Sequence, residues 1–215
     1  MASRRPFRIV VLISGSGTNL QAILDALHLP GDAGVECVLV ISSKDGVAGL
    51  ERAEAAGVPT QVVGMASYAD REARDRALAD AVEGAEPDLV VLAGFMSILT
   101  ADFLDRFPDR VINLHPSLLP SFPGVDAIGQ ALAFGARVTG VTVHFAEVEV
   151  DAGPPVLQEA VPVRYRDDEA SLTARIREVE HRLLPEAIRL FAAGRVRRST
   201  EDRRRVDVGN EGDSG

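Results

Sequence analysis

The sequence predicts an α/β fold with a twisted, mainly parallel sheet and helices on both faces. Short apolar runs that are typical of strands alternate with segments of helical period along most of the chain. The first run, Arg8-Ile9-Val10-Val11-Leu12-Ile13, is almost continuously apolar, as expected of a parallel strand covered on both faces. Near the C-terminal end, two strand-like segments leave no room for a crossover helix between them, so we expect that pair to be antiparallel.

In the first half of the chain, strand and helix signals follow one another in turn. The expected strands and helices lie, in chain order, at 8–13, 19–27, 35–41, 48–56, 60–63, 68–83, 88–93, 101–106 and 110–113. The alanine-rich helix over 48–56 ends at Gly57, because glycine is favoured just beyond a helix C-terminus. Ser67 is the expected N-cap of the helix over 68–83.

The second half of the chain completes the predicted sheet. A helix over 125–134 precedes the two strands expected to be antiparallel, 137–145 and 155–163, and a long amphipathic helix over 169–193 follows them. The whole order predicts a Rossmann-like three-layer fold. We expect one domain over 1–196 and a polar, charge-dense tail over 197–215 that is disordered.

The composition and net charge of the chain argue against some classes of partner. The chain is 46% hydrophobic and 26% charged, with a net charge of −9, so nucleic acid is not an expected partner. No segment has the length of a membrane span or the form of a secretory signal, which predicts a cytoplasmic protein without a membrane partner. The single cysteine, Cys37, lies in an apolar run and is expected to be buried rather than reactive.

The glycine-rich turn Gly15-Ser16-Gly17-Thr18-Asn19 joins the first strand to the first helix. Such a turn exposes backbone N–H groups at a helix N-terminus and is suited to an anion such as phosphate. The dinucleotide fingerprint is not matched, because Leu20 stands at its third glycine position and the second strand ends in Ser42-Ser43-Lys44. No Lys-Ser/Thr pair of a P-loop follows. A phosphate site and a plain tight turn both remain open from these residues alone.

Polar side chains at the end of the fifth strand indicate an acyl-transfer site. Asn113 and His115 are two residues apart and would project to the same face, before Pro116 ends the strand. The amide can donate to a developing oxyanion, and the imidazole can move a proton near neutral pH. Asp151 lies 36 residues beyond His115. Structural alternatives are a turn residue at Asn113, a buried histidine at His115 and a turn-initiating Asp151.

Taken together, these motifs resemble the phosphoribosylglycinamide formyltransferases, the folate-dependent family of purine biosynthesis. The resemblance covers about 9–195 and rests on five motifs: Val11-Leu12-Ile13-Ser14-Gly15-Ser16-Gly17-Thr18-Asn19-Leu20, Ala93-Gly94-Phe95-Met96, Asn113-Leu114-His115-Pro116-Ser117-Leu118-Leu119-Pro120, Thr139-Gly140-Val141-Thr142-Val143-His144-Phe145 and Asp151-Ala152-Gly153-Pro154. The Ser-Leu-Leu-Pro core marks several formyltransferases that use 10-formyltetrahydrofolate, whereas the glycine loop and the last helix narrow the resemblance to this family.

The resemblance implies a role for each matching residue. Asn113 would stabilise the oxyanion, His115 would carry protons, and Asp151 would favour the imidazolium form of His115. The residues expected to bind glycinamide ribonucleotide are Gly17, Thr18, Asn19, Pro116, Arg177 and Glu180. Those expected to bind 10-formyltetrahydrofolate, the co-substrate, are Arg71, Met96, Ser97, Ile98, Leu99, Asn113, Ala146 and Val150. No metal is implied, and the protein would be a monomer or a homodimer.

Two positions depart from the family pattern. Ser97 follows Met96 where members commonly carry a basic residue, which removes a partner for the folate tail. Asp126 stands near the place where members often have a histidine after the Phe-Pro-Gly turn. His144 is expected either beside the site or as a hydrogen-bonded strand histidine.

Other functions compete with this interpretation. Methionyl-tRNA formyltransferase would need a further C-terminal domain, and formyltetrahydrofolate hydrolase would need an N-terminal one; the chain is expected to lack both. A nucleotide-binding module that uses only the glycine loop is a second alternative. A metal hydrolase built on His115, His144 and Asp151 is a third, although no His-Glu-x-x-His motif or cysteine pair is present.

Overall fold

A computed structural model describes residues 5–30 and 34–209. The chain forms two compact units, Met1–Ile112 and Asn113–Gly215. The expectation of one domain over 1–196 stays a prediction. Among the described residues, no helix is both long and apolar enough to cross a bilayer.

The first unit contains a parallel sheet whose strands lie in the order β3-β2-β1-β4. Its strands are β1 (Phe7–Ile13), β2 (Val35–Ser42), β3 (Thr60–Val62) and β4 (Leu89–Leu92). Its helices are α1 (Thr18–Ile23), α2 (Ala48–Ala55), α3 (Arg71–Gly84) and α4 (Ala101–Arg106), and a π-helical turn, Leu24–His28, extends α1. The central strands β1 and β4 are buried along most of their length, as their apolar runs predict.

The start of α3 differs from the sequence-based expectation. Met65–Ser67 form a short 3₁₀ turn, and the helix begins only at Arg71. Its N-cap is Asp70, whose carboxylate accepts a 2.7 Å hydrogen bond from the Ala73 amide. Ser67 was expected in this position, but an aspartate at the N-cap also satisfies a free amide and favours the positive end of the helix dipole.

The second unit contains the end of β5 (Val111–His115), followed by β6 (Val138–Phe145) and β7 (Pro155–Pro162), in the order β5-β6-β7. Strands β6 and β7 are antiparallel, as predicted, and their register shifts between Val143 and His144. The helices of this unit are α5 (Ala127–Phe134) and α6 (Glu169–Ala192). A capping box of Asp168 and Ser171 fixes the start of α6.

The segment expected to be disordered contains a small β-hairpin. Strands β8 (Val196–Arg198) and β9 (Val206–Val208) are antiparallel. The Arg195 side chain donates to the Gly209 carbonyl oxygen at 2.6 Å and ties the two ends of the hairpin together. Disorder was expected because the segment is highly charged, but its arginines make specific contacts in the structure. The part of the expected tail over 210–215 lies outside the described residues.

Candidate active site

Asn113 and His115 lie at the carboxyl end of β5, where the sequence places them. His115 is buried and Asn113 is half-buried. The Asp151 carboxylate reaches both residues: its Oδ2 atom is 3.3 Å from His115 Nδ1, and its Oδ1 atom accepts a 3.5 Å hydrogen bond from the Asn113 amide. The three residues expected to be catalytic therefore form one cluster within the second unit.

Both ring nitrogens of His115 face oxygen acceptors. Nε2 is 2.8 Å from the Phe122 carbonyl oxygen, and Nδ1 faces the Asp151 carboxylate. A carbonyl oxygen only accepts hydrogen bonds, so Nε2 carries a proton. The ring satisfies both contacts only when Nδ1 is protonated as well. The arrangement is thus suited to an imidazolium that rests against a carboxylate and can give up a proton.

His144, whose role the sequence left open, also belongs to this cluster. Its Nδ1 is 2.9 Å from the Phe145 carbonyl oxygen and therefore donates to it. Its Nε2 is then the acceptor for the Asn113 amide at 3.1 Å, and it lies 3.6 Å from Asp151 Oδ1. The register shift at Val143/His144 is a local irregularity of the kind that re-aims side chains near functional sites. In the sequence, polar and apolar residues alternate in Thr142-Val143-His144, and this pattern indicated that His144 could lie beside the site.

The environment of Asp151 keeps its carboxyl group ionised. Burial of this side chain, which is 7% exposed, acts to raise its pKa. The contact with His144, the hydrogen bond from the Gly124 amide at 2.7 Å and the nearby His115 ring outweigh burial, so the pKa of Asp151 is lowered from its ordinary value. A negative charge is therefore maintained beside His115 over the whole neutral range.

A tight turn at Phe122-Pro123-Gly124 contacts both His115 and Asp151 through its backbone. Phe122 has a φ of 54° and Gly124 a φ of 80°, both in the left-handed region. This conformation directs the Phe122 carbonyl to His115 and the Gly124 amide to Asp151. The Phe-Pro-Gly composition predicts a turn, but backbone contacts of this kind have no signature in the sequence. Asp126, the second departure, caps α5 by accepting from the Gly129 amide at 3.1 Å.

The glycine loop lies in the first unit. Gly17 has a φ of 69°, and a Cβ atom there would lie 2.6 Å from the Gly49 backbone. Helix α2 holds the loop: the Gly49 amide donates to Gly15 O at 3.1 Å, and Arg52 Nε donates to Ser16 O at 2.9 Å. Thr18 and Asn19 begin α1, and no side chain caps that helix at Gly17. The loop therefore has a fixed shape that requires glycine.

The 96–99 loop, which follows β4, is also fixed within the first unit. The Met96 amide donates to Ser14 Oγ at 2.8 Å, and Arg74 donates to the Ile98 carbonyl oxygen at 3.1 Å. Met96 and Ile98 are exposed, at 73% and 50%, whereas Leu99 is buried and Ser97 is half-buried. The loop thus presents the Met96 and Ile98 side chains to solvent. Arg71, the first residue of α3, is exposed.

The remaining expected binding residues lie in the second unit. Pro116 directly follows His115, and Ala146 and Val150 lie in the loop that leads to Asp151, with Val150 48% exposed. Arg177 is exposed on α6, and Glu180 is buried one turn later. No part of the described chain brings three or more His, Cys, Asp or Glu side chains into an arrangement that could hold a metal ion.

Comparison with known proteins identifies the family to which the chain belongs. A family model described as formyl transferase matches residues 7–188. The chain therefore belongs to the formyl transferase family. It is 45% identical over 189 residues to phosphoribosylglycinamide formyltransferase from Escherichia coli strain K12, covering 88% of this chain and 89% of that protein. The resemblance to the phosphoribosylglycinamide formyltransferases is thus confirmed.

Solved structures and longer relatives agree with this assignment. A glycinamide ribonucleotide transformylase 1 from Symbiobacterium toebii superposes with a TM-score of 0.91 at 48% identity, covering 96% of this chain and 95% of that one. The predicted α/β fold class is therefore confirmed. The chain is also 47% identical to the bovine trifunctional purine biosynthetic protein adenosine-3, with 88% of this chain aligned, but it spans only 19% of that relative's length.

Proposed function

We propose that this protein transfers a formyl group from 10-formyltetrahydrofolate to the amine of 5-phosphoribosylglycinamide in purine biosynthesis. The products are formylglycinamide ribonucleotide and tetrahydrofolate. The observation that supports the proposal most strongly is the cluster of Asn113, His115 and Asp151 in a chain of the formyl transferase family. It combines a neutral hydrogen-bond donor, an imidazole and a fixed anion, groups that can stabilise an oxyanion and transfer protons during formyl transfer to an amine.

In the proposed mechanism, the amine nitrogen of the acceptor attacks the formyl carbon and a tetrahedral oxyanion forms. The Asn113 amide donates one hydrogen bond to this oxygen in place of its 3.5 Å contact with Asp151 Oδ1, and His144 orients the amide by accepting the other. As the intermediate collapses, the bond from carbon to the folate nitrogen breaks, that nitrogen takes a proton, and the acceptor amine loses one. His115 transfers these protons, and Asp151 stabilises its charged form.

For His115 to act, one of its two acceptors must be replaced by substrate or by water. We propose that the Phe122 carbonyl oxygen is the acceptor that is replaced, because it is neutral and lies on an exposed turn. The contact with Asp151 is charge-assisted and lies at a largely buried carboxylate. We therefore assign Nε2 as the atom that exchanges protons with the reacting groups.

The binding roles are part of the proposal. Gly17, Thr18 and Asn19 would hold the phosphate of the ribonucleotide, with Pro116, Arg177 and Glu180 contacting the rest of it. Arg71, the 96–99 loop, Asn113, Ala146 and Val150 would bind the folate. We further propose a cytoplasmic monomer or homodimer whose partners are these two small molecules and which requires no metal.

The test is a formyl-transfer assay with alternative acceptors. Purified protein and 10-formyltetrahydrofolate are mixed with glycinamide ribonucleotide, methionyl-tRNA or buffer alone, and tetrahydrofolate release is followed spectroscopically. We expect rapid release only with glycinamide ribonucleotide. Equal release in buffer alone would indicate a hydrolase, and release only with methionyl-tRNA would indicate the tRNA enzyme.

A further inference from the structure

The 146–150 loop carries Asp151 in a conformation that needs support. Asp151 has a φ of 56°, in the left-handed region that side chains other than glycine adopt at a cost. Val148 and Val150 are 59% and 48% exposed and give the loop little packing. The base of the loop is closed by the Phe145 amide, which donates to Pro154 O at 3.1 Å. The Gly124 amide holds the carboxylate directly, so the position of the rest of the loop depends on contacts from outside it.

One such contact comes from the C-terminal hairpin. Arg198, the last residue of β8, donates from Nη2 to the Glu147 carboxylate. Its guanidinium also lies over the Phe145 ring, with Cζ 5.6 Å from the ring centroid. The Arg198 side chain is only 10% exposed, although Glu147 is 37% exposed. The ion pair is thus shielded on the arginine side and is stronger than an ordinary surface pair.

Arg198 is itself held in place. Its Nε donates to the Arg203 carbonyl oxygen at 2.6 Å, across the turn of the hairpin. The Phe145 ring that it covers makes an edge-to-face contact with Phe191 of α6, at 5.7 Å between centroids. The guanidinium is therefore a rigid link between the hairpin and the first residues of the loop.

We propose that Arg198 is a positioning residue that fixes the loop bearing Asp151 through Glu147 and Phe145. The C-terminal hairpin then acts as a brace for the active-site loop and is not merely a terminal extension. This inference rests on the proposed function, because it assigns to the loop a part in formyl transfer. It predicts that loss of the guanidinium frees the loop and misplaces the carboxylate while the catalytic side chains remain intact.

The test compares Arg198→Met with Arg197→Met. Arg197 is the neighbouring, exposed residue of the same strand, so its variant removes the same charge without touching the loop. We expect Arg198→Met to lower kcat about tenfold, as lost alignment of a catalytic group does, with little change in KM for the acceptor. Arg197→Met should behave as the wild type. Equal effects of the two variants, or none, would overturn the proposal.

Hydrogen exchange provides a readout that does not depend on activity. In Arg198→Met, amides over 146–152 should exchange about tenfold faster, while those of β6 and α6 remain protected. A uniform increase in exchange rate across the molecule would show that Arg198 stabilises the whole fold and would overturn the proposal. Glu147→Gln, a change at an exposed position, should reproduce the local effect, and Glu147→Arg combined with Arg198→Glu should restore part of it. If the wild type transfers no formyl group, the proposed function fails, whereas the exchange result still decides whether the brace exists.

Discussion

Replacement of Asp151 by asparagine removes one negative charge from the cluster and preserves the size of the side chain. The carboxylate lies 3.3 Å from His115 Nδ1. At an effective dielectric constant of about 20, a charge pair at this distance interacts by about 5 kcal/mol. The asparagine oxygen still accepts a hydrogen bond from His115, so we expect about half of that interaction to be lost. This corresponds to a decrease in kcat of about 10²-fold.

The assay for Asp151→Asn is steady-state release of tetrahydrofolate with glycinamide ribonucleotide as the acceptor. KM for the acceptor should change little, because the lost charge stabilises the proton-transferring ring rather than the bound substrate. The control is Asp105→Asn, which removes one carboxylate at an exposed position of α4. A kcat for Asp151→Asn within twofold of the control would refute the assignment of Asp151 as the partner of His115.

His115→Ala should lower kcat by about 10²–10⁴-fold with an unchanged circular dichroism spectrum, and wild-type turnover would rule out a proton-transfer role. His144→Phe should lower kcat by less than His115→Ala, because in the proposed mechanism His144 orients Asn113 and contacts Asp151 but transfers no proton; a larger loss would make His144 the main proton carrier. Burial raises the pKa of Cys37 to about 12, so iodoacetamide should leave it unmodified in the native protein and alkylate it after unfolding; rapid native labelling would contradict the buried position. Because the folded-state pKa of Asp151 is depressed, its ionised form contributes stability above pH of about 4 that is lost as pH falls through the folded value. The urea midpoint of the wild type relative to Asp151→Asn should therefore fall as the pH is lowered below about 4; a difference between the two midpoints that does not change in that acid range would contradict the depressed pKa.

The sequence predicted most of the fold because local signals and tertiary structure agree along most of the chain. The apolar run of β1 is buried, and the pair β6–β7 is antiparallel, since the connection between the two strands contains no helix. In the C-terminal segment they disagree because of a contact distant in sequence. The charged segment over 197–208 was expected to be disordered, but Arg198 gains Glu147 as a partner 51 residues away.

The candidate site likewise contains features that the sequence predicted and features that it did not. The spacing of Asn113 and His115 on one strand predicted their proximity, because strand geometry is regular. The proximity of Asp151 to His115 was suggested only by the family resemblance, since no local rule links positions 36 residues apart. The roles of His144 and of the Phe122–Gly124 turn depend on a register shift and on backbone direction, neither of which a single sequence specifies.

In the proposed function, the cluster around His115 transfers a formyl group to glycinamide ribonucleotide. The most direct test is product analysis by mass spectrometry after the wild-type protein has been incubated with 10-formyltetrahydrofolate and this acceptor. We expect one added CO unit on the acceptor amine, in equal amount to the tetrahydrofolate released, and neither product with His115→Ala. Tetrahydrofolate released without a formylated acceptor, or full product formation by His115→Ala, would contradict the proposed function.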